Sequence, residues 1–411
     1  MVKNNVLLVL SDTVKSIYLT QDELMDVITS IDCIHIFDDV DDFRQKNKIS
    51  YKLGDILLMA MFAIIKEKSQ SFTYIADFVA INRKQFEKCG LIKEGEPTPS
   101  HDTFRRIFSL LDSKSFYDCT IKRFHEYLRS LETKSGLRHI AVDGKYVNGT
   151  GRSEETLNQI PNANVLNVYE VHTDTCLYSE VIDDKTNEIP IAQNILSTMN
   201  LEKTVISADA LHCQKTTTEV IRKNSGHYVL TVKENIPLLL EEAKLKIEKN
   251  KNKLKTLEIN NLLIEVCTLP KTYEYEGYVD IRSYIKMTSN KTNKECVRYF
   301  ISDLVKIQDI ADVINNRWAI ENKFHKLKDT YLNEDYFRCT DKKAIKNMVL
   351  MNNLISQLLM IYIPLSGMNQ RLAKIAFKSR PEEEILKLLA VLSSDTIKDK
   401  LIQAINNKNK K

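Results

Sequence analysis

Two aspartates interrupt apolar runs that have the composition of buried strands. Asp143 lies in the run HIAVDGK, and Asp209 follows the run VISA. A carboxylate beside a buried strand is costly unless a partner or a cation compensates it. A single aspartate of this kind is commonly a turn residue or a helix cap. Two of them in one region favour a shared site.

A third acid, Glu321, lies in the helical segment NRWAIENKFHKLK. Helical periodicity predicts that Arg317, Glu321 and Lys328 share one face, beside an apolar stripe that packs on a sheet. The stripe consists of Ile320, Phe324, Leu327 and Tyr331. The alternative interpretation of the charged face is an exposed salt bridge between residues four apart.

Three carboxylates of this type predict divalent-metal chemistry. Two Mg²⁺ or Mn²⁺ ions, which prefer oxygen ligands, can support hydrolysis and transfer of phosphodiesters. We therefore predict that Asp143, Asp209 and Glu321 are metal ligands and catalytic residues. Arg317 and Lys328 would then neutralise phosphate charge on DNA.

The elements that must position these residues differ along the chain. Apolar spacing predicts a helical region from Phe43 to Leu131, in which Ser100 caps the helix that carries Arg105 and Arg106. This helix belongs either to a DNA-binding helix-turn-helix or to an ordinary helical bundle with two solvated arginines.

From Leu137 onwards the pattern changes to short strands alternating with helices, which predicts a mixed α/β sheet covered by helices. Further strands predict an inserted β region at about residues 252–304, and long helices are expected at 307–331 and 344–362. The remaining predicted strands are at 137–147, 165–172, 176–181, 204–208, 228–232, 257–266, 278–285 and 296–302.

Composition restricts the class of protein. Hydrophobic residues make up 43% and charged residues 28% of the 411 positions, as in folded proteins. The longest apolar run, at 56–65, is too short to span a membrane and predicts a buried helix. Eight scattered cysteines without a CxxC pair predict reduced thiols in the cytoplasm. A net charge of +4 does not by itself indicate a nucleic-acid partner.

Several motifs occur in order and together resemble insertion-sequence DDE transposases of the H-repeat-associated branch. They are VDGK at Asp143, KTNEIP at 185–190, DALHCQK from Asp209, YVLTVKEN at 228–235 and RWAIENKFH from Arg317. The resemblance covers residues 40–370. It implies a ribonuclease H-like catalytic core with an inserted β region, preceded by an all-α N-terminal transposase-associated domain.

The family's Tyr-Arg-Glu-Lys signature corresponds here to Arg317, Glu321 and Lys328, with Ile314 in place of the tyrosine. An apolar side chain cannot bind phosphate, so this departure concerns the tyrosine's role and leaves the carboxylates intact. Lys145 is a further phosphate-binding candidate. Trp318, the only tryptophan, either packs in the core or stacks on an unpaired base.

The resulting prediction is a transposase of three parts: a DNA-binding helical domain at 1–132, the catalytic domain at 137–370, and a helical tail at 371–411. The enzyme would cleave element ends at terminal inverted repeats and join the 3′-hydroxyl to target DNA. The resemblance also implies a homo-oligomer on DNA, in a bacterial cytoplasm and at the nucleoid when bound. The alternatives are a domesticated relative that binds DNA without cutting it, and a nuclease of the same fold that performs no strand transfer.

Overall fold

The structure is a computed structural model that describes residues 5–8, 17–20, 36–66, 70–88, 90–122, 125–126, 136–151, 161–182, 188–292, 294–365 and 370–379. The chain forms two compact units. We call Met1–Lys134, Tyr146–Asn164 and Phe324–Lys411 the helical unit, and Ser135–Lys145 and Val165–Lys323 the sheet unit.

The regular elements are numbered in chain order. The α-helices are α1 (Leu53–Lys66), α2 (Phe72–Ile81), α3 (Arg83–Lys88), α4 (His101–Leu110), α5 (Ser113–Tyr117), α6 (Glu188–Thr198), α7 (Lys215–Lys223), α8 (Pro237–Lys249), α9 (Ile307–Asn316), α10 (Lys342–Leu365) and α11 (Gln370–Ser379). The strands are β1 (Asn5–Leu8), β2 (Ile17–Thr20), β3 (Arg138–Val147), β4 (Ala163–Glu170), β5 (Thr175–Ile182), β6 (Thr204–Ala208), β7 (His227–Val232), β8 (Lys255–Ile259), β9 (Leu262–Thr268), β10 (Ser283–Thr292) and β11 (Lys294–Ser302).

The sheet unit is built on a nine-stranded sheet with the order β5-β4-β3-β6-β7-β11-β10-β9-β8. Strands β3, β6 and β7 are parallel, and β7 pairs antiparallel with β11. The strands β8 to β11 continue the sheet as antiparallel neighbours. Strands are therefore present at about 252–304, where the sequence predicts a β region, and they extend the central sheet at one edge.

Helices cover both faces of this sheet, because successive residues of the central strands point to opposite sides. Ile206 belongs to an apolar cluster with residues of α6, α7 and α8. Its neighbour Val205 belongs to a second cluster that includes residues of α9. The mixed α/β architecture predicted from the sequence is confirmed.

In the helical unit, α1 is buried over almost its whole length, in accordance with an apolar character on every side. Ser100 caps α4 as predicted, since its hydroxyl accepts a hydrogen bond from the backbone N–H of Thr103. No described helix combines the length and the apolar character that a membrane crossing requires.

Three local predictions were wrong. The stretch 257–266 is two strands, because Asn260 and Asn261 both adopt a left-handed conformation and form a tight turn. The N-terminal region is not purely helical, since β1 and β2 pair with each other. The segment 307–331, expected to be one regular α-helix, is regular only as far as Asn316, where α9 ends. Two π-helical turns follow, Ile320–His325 and Lys328–Leu332.

Candidate active site

Asp143 and Asp209 are brought to the same edge of the parallel sheet. The last paired residues of β3 and β6 are Val142 and Ala208, which lie opposite each other, and the two aspartates follow directly. Parallel neighbours are about 4.8 Å apart, so this register brings the two carboxylates together. Oδ1 of Asp209 also accepts a hydrogen bond from the backbone N–H of Leu211 at 3.0 Å. Asp209 is therefore a turn cap as well as a site candidate.

Glu321 is exposed and lies in the first π-helical turn, just beyond the end of α9. π-Helical turns recur at functional sites because they displace a side chain from its α-helical position. The charge of Glu321 acts directly on both Asp143 and Arg317. The third predicted acid is therefore close enough for its charge to act on Asp143.

The electrostatics of Asp143 reflect this crowding. Burial, followed by the charges of Glu321 and Asp209, raises the pKa of its carboxyl to about 7, and Arg317 opposes the rise. A carboxyl in this state is protonated over much of the range in which most aspartates are charged. Perturbed carboxylates of this kind are concentrated at functional sites.

Arg317 and Trp318 form a stacked group beside the acids. The guanidinium groups of Arg317 and Arg298 lie 4.4 Å and 4.7 Å from the centre of the Trp318 ring. The indole packs against the apolar cluster under α9, as the core-packing alternative predicts. Among the described residues, the buried Nε of Arg317 meets no hydrogen-bond partner. Sequence reasoning missed Arg298, because only the pairing of β11 within the sheet brings it to Trp318.

The phosphate-binding role predicted for Lys328 was wrong. Lys328 is 1% exposed, and its ammonium group forms an ion pair with Glu334 at 2.9 Å and a hydrogen bond to Asn353. The prediction assumed regular α-helical spacing from Arg317 onwards. The π-helical turns change that spacing, and the buried ammonium group is compensated inside the helical unit.

The other basic candidates remain predictions. Lys145 is half-buried on β3, two residues beyond Asp143, and alternate residues of a strand share a face. Arg105 and Arg106 are exposed on α4 in the helical unit, where Arg105 bonds to Asp102 at 3.0 Å. Sequence reasoning also left Glu188 without a role, although Glu188 is one of the charges that act on Asp143.

The chemistry of the donor set fits a hard divalent cation. Asp143, Asp209 and Glu321 supply only oxygen ligands, and their mutual repulsion is relieved when a cation lies between them. Within the described part of the chain, no three His, Cys, Asp or Glu side chains converge on one ion position. The fit is therefore one of ligand type and of electrostatic proximity.

Comparison with known proteins agrees with this chemistry. Residues 134–358 match the family described as Transposase DDE domain, and residues 34–123 match DDE_Tnp_1-associated. The chain is 28% identical over 72% of its length to the H repeat-associated putative transposase YhhI of Escherichia coli K12, of which it covers 82%. It is 26% identical over 93% of its length to the putative transposase YncI of Escherichia coli O157:H7, covering all of that protein.

Among solved structures, a piggyBac transposase synaptic complex with hairpin DNA aligns with 92% of this chain and 84% of its own. The TM-score of 0.40 and the identity of 11% are too low to establish a common fold. The sequence families are decisive, because the DDE match alone spans more than half of the chain. The chain therefore belongs to the DDE transposase family of polynucleotidyl transferases.

Proposed function

We propose that this transposase cleaves DNA at the ends of an element and joins the freed 3′-hydroxyl to target DNA in a metal-dependent reaction. The observation that carries the proposal is the matched end of the β3–β6 pairing. It brings Asp143 beside Asp209, where the charge of Glu321 also acts. Capping explains the position of Asp209 but not the two other acids, Asp143 and Glu321, whose charges interact.

Asp143, Asp209 and Glu321 are the residues that would hold two Mg²⁺ or Mn²⁺ ions. DDE transposase domains generally use divalent metal ions. When bound, such ions activate the attacking oxygen and stabilise the leaving one in phosphodiester chemistry.

Arg317 and Arg298 would bind the phosphates on either side of the scissile bond. The charges of the acids act on Arg317, its Nε has no hydrogen-bond partner among the described residues, and its cation–π contact with Trp318 restrains the guanidinium. A planar, preorganised guanidinium suits phosphate recognition, because several N–H groups point the same way. Lys145 would add a third positive charge on the Asp143 strand.

The sheet unit is proposed to be a ribonuclease H-like core, and double-stranded DNA to be the partner. In this proposal Arg105 and Arg106 contact terminal inverted repeats, and a homo-oligomer assembles on the DNA. Exposed arginines on one helix give non-specific affinity at least, since most of that affinity comes from phosphate contacts.

The test compares the wild type with Asp209→Asn on labelled element-end DNA, with Mg²⁺ and with Mn²⁺. Asparagine keeps a side-chain oxygen that can accept the Leu211 N–H bond, so the variant removes the ligand charge and spares the turn. Glu241→Gln is the matched control, because Glu241 is an exposed acid on α8 that pairs with Lys244. We expect nicks and joined products from the wild type and the control, and neither from Asp209→Asn.

Each alternative has its own signature in this experiment. Equal DNA binding by the wild type and Asp209→Asn, with cutting by neither under either metal, would identify a non-cutting DNA-binding relative. Nicks that require Asp209 but never lead to 3′-hydroxyl joining would identify a nuclease without strand transfer.

A further inference from the structure

Two sequence motifs contain residues that the acidic triad does not use. Glu188 ends the run KTNE and begins α6, and His212 lies three residues after Asp209. The structure places both in the sheet unit and joins them. Oε1 of Glu188 lies 2.8 Å from Nε2 of His212. The side chains are 14% and 2% exposed, so this bond is shielded from water.

The Glu188 carboxyl also lies against the backbone of β3 next to Asp143. A Cβ atom at Gly144 would lie 2.5 Å from Oε2 and 2.8 Å from Cδ of Glu188. Real Cβ atoms do not approach other atoms this closely, so any larger residue at 144 would displace the carboxyl. The glycine after Asp143 thus allows α6 to contact the strand at the site.

His212 closes the one-turn helix Ala210–His212 that Asp209 caps. The backbone of this turn is held at two other points. Asn235 donates a hydrogen bond from Nδ2 to the carbonyl oxygen of Ala210 at 2.8 Å, and Tyr278 donates one to the carbonyl oxygen of Cys213. The direction of the Asp209 carboxyl depends on this turn, because its Oδ1 is bonded to the N–H of Leu211 within it.

We propose that Glu188 and His212 act together as positioning residues that tie the turn carrying Asp209 to the strand carrying Asp143. Glu188 contacts the strand at Gly144, and His212 fixes the far end of the turn. The bond between them therefore sets the separation of the two aspartates before any ion binds. This role rests on the proposed function, since it assumes that both aspartates are ligands. Glu188 itself acts through His212 and is not a ligand.

The test separates a hydrogen-bonding role from a charge role. Glu188→Gln keeps an oxygen that accepts a bond from the imidazole N–H, whereas Glu188→Ala removes it. Residues that orient metal ligands typically change metal affinity by about 10- to 100-fold when they are removed. We expect Glu188→Ala to weaken Mn²⁺ binding to the full-length protein by about tenfold or more, measured by electron paramagnetic resonance. Glu188→Gln should stay within about twofold of the wild type.

Gln193→Ala is the matched control. Gln193 also lies on α6 and donates hydrogen bonds to the hydroxyl oxygens of Thr216 and Thr217, so its loss removes a polar contact of α6 that involves neither aspartate. Its Mn²⁺ affinity should equal that of the wild type. Thermal unfolding of each variant verifies that it is folded. If Glu188→Ala does not fold, His212→Asn removes the same bond from the other side and should weaken Mn²⁺ binding likewise.

Two results would overturn the proposal. A Glu188→Gln variant as weak as Glu188→Ala would show that the negative charge matters, as for a fourth ligand. A Glu188→Ala variant with unchanged Mn²⁺ affinity would show that the bond positions nothing. Because Mn²⁺ binding is measured without DNA, a wild type that never cuts DNA would count against the proposed function and leave this test intact.

Discussion

The environment of Asp143 is far from that of an ordinary surface aspartate. Burial and the charges of Glu321 and Asp209 raise its pKa to about 7, against a usual value of 3.8. For an acid, a raised pKa in the folded state means that ionisation opposes folding. Protonated Asp143 makes its full contribution to the free energy of unfolding below about pH 4, and this contribution is lost as the pH rises to about 7.

Asp143→Asn should therefore stabilise the metal-free protein at alkaline pH. One pKa unit corresponds to about 1.4 kcal/mol, so a shift of this size predicts a gain of about 2–4 kcal/mol at pH 8. The gain should shrink between pH 7 and pH 4 and vanish below that range. Urea unfolding in EDTA at several pH values measures it, with Glu241→Gln as the exposed-acid control. A stability difference that did not change with pH would contradict the raised pKa.

Arg298 should contribute to DNA binding through phosphate contact. Arg298→Ala removes one positive charge beside Arg317, so the slope of log affinity against log salt should fall by about one. The affinities for element-end DNA and for unrelated DNA should fall to a similar extent, because phosphate contacts carry no sequence information. Binding titrations at several NaCl concentrations provide the measurement.

Lys253→Ala serves as the control for Arg298→Ala. Lys253 is an exposed lysine in the turn after α8 and takes no part in the stacked group. An equal change in slope for Lys253→Ala and Arg298→Ala would show that Arg298 acts only through overall charge.

The residues of the site could be predicted from sequence to different extents. Asp143 and Asp209 could be predicted because each interrupts an apolar run. The local pattern also indicates that these runs are strands, and neighbouring parallel strands end at the same edge of a sheet. Arg298 and the bond between Glu188 and His212 could not be predicted from the sequence. Their partners lie on other elements, and only the packed sheet brings them together.

At the level of elements, the segment after α9 shows why helical periodicity misplaced Lys328. Apolar spacing was correctly recognised as helical, but periodicity does not distinguish an α-helix from a helix with π-helical turns. The hairpin at Asn260 and Asn261 could have been predicted more readily. Two adjacent asparagines between β-rich runs are a recognised turn signal, which the continuous apolar pattern of 257–266 obscured.

The Lys328–Glu334 pair should behave as a buried ion pair. Removing one partner leaves an uncompensated charge, so Lys328→Met should destabilise the protein by about 3–5 kcal/mol. The double variant Lys328→Met with Glu334→Leu should recover most of this loss, because an apolar pair of similar volume has no charge to desolvate. Urea unfolding measures both.

An exposed pair on the neighbouring turn provides the control. Lys323 lies 3.4 Å from Asp174 with 54% of its side chain exposed, and Lys323→Gln should cost less than about 1 kcal/mol. Equal losses for Lys323→Gln and Lys328→Met would show that burial of the Lys328 pair has no energetic consequence.

At the level of the whole molecule, the helical unit is assembled from segments that are distant in sequence. Asn347 on α10 donates hydrogen bonds to the carbonyl oxygens of Phe108 and Leu111, at 2.8 Å and 3.0 Å. Gln70 and Asn352 bond to each other through both side-chain amides. The boundaries predicted at 132 and 137 follow local composition, which carries no information on such long-range contacts.

A fragment of residues 137–411 should therefore not fold on its own. Without the N-terminal segments, α10 would expose the face that packs against α4 together with unpaired amides, and buried polar groups without partners cost about 1–3 kcal/mol each. We expect this fragment to aggregate in size-exclusion chromatography. Coexpression with residues 1–136 should restore a soluble complex, because the break falls between segments and removes none of these contacts. A monomeric 137–411 fragment that unfolds cooperatively at the temperature of the intact chain would contradict this prediction.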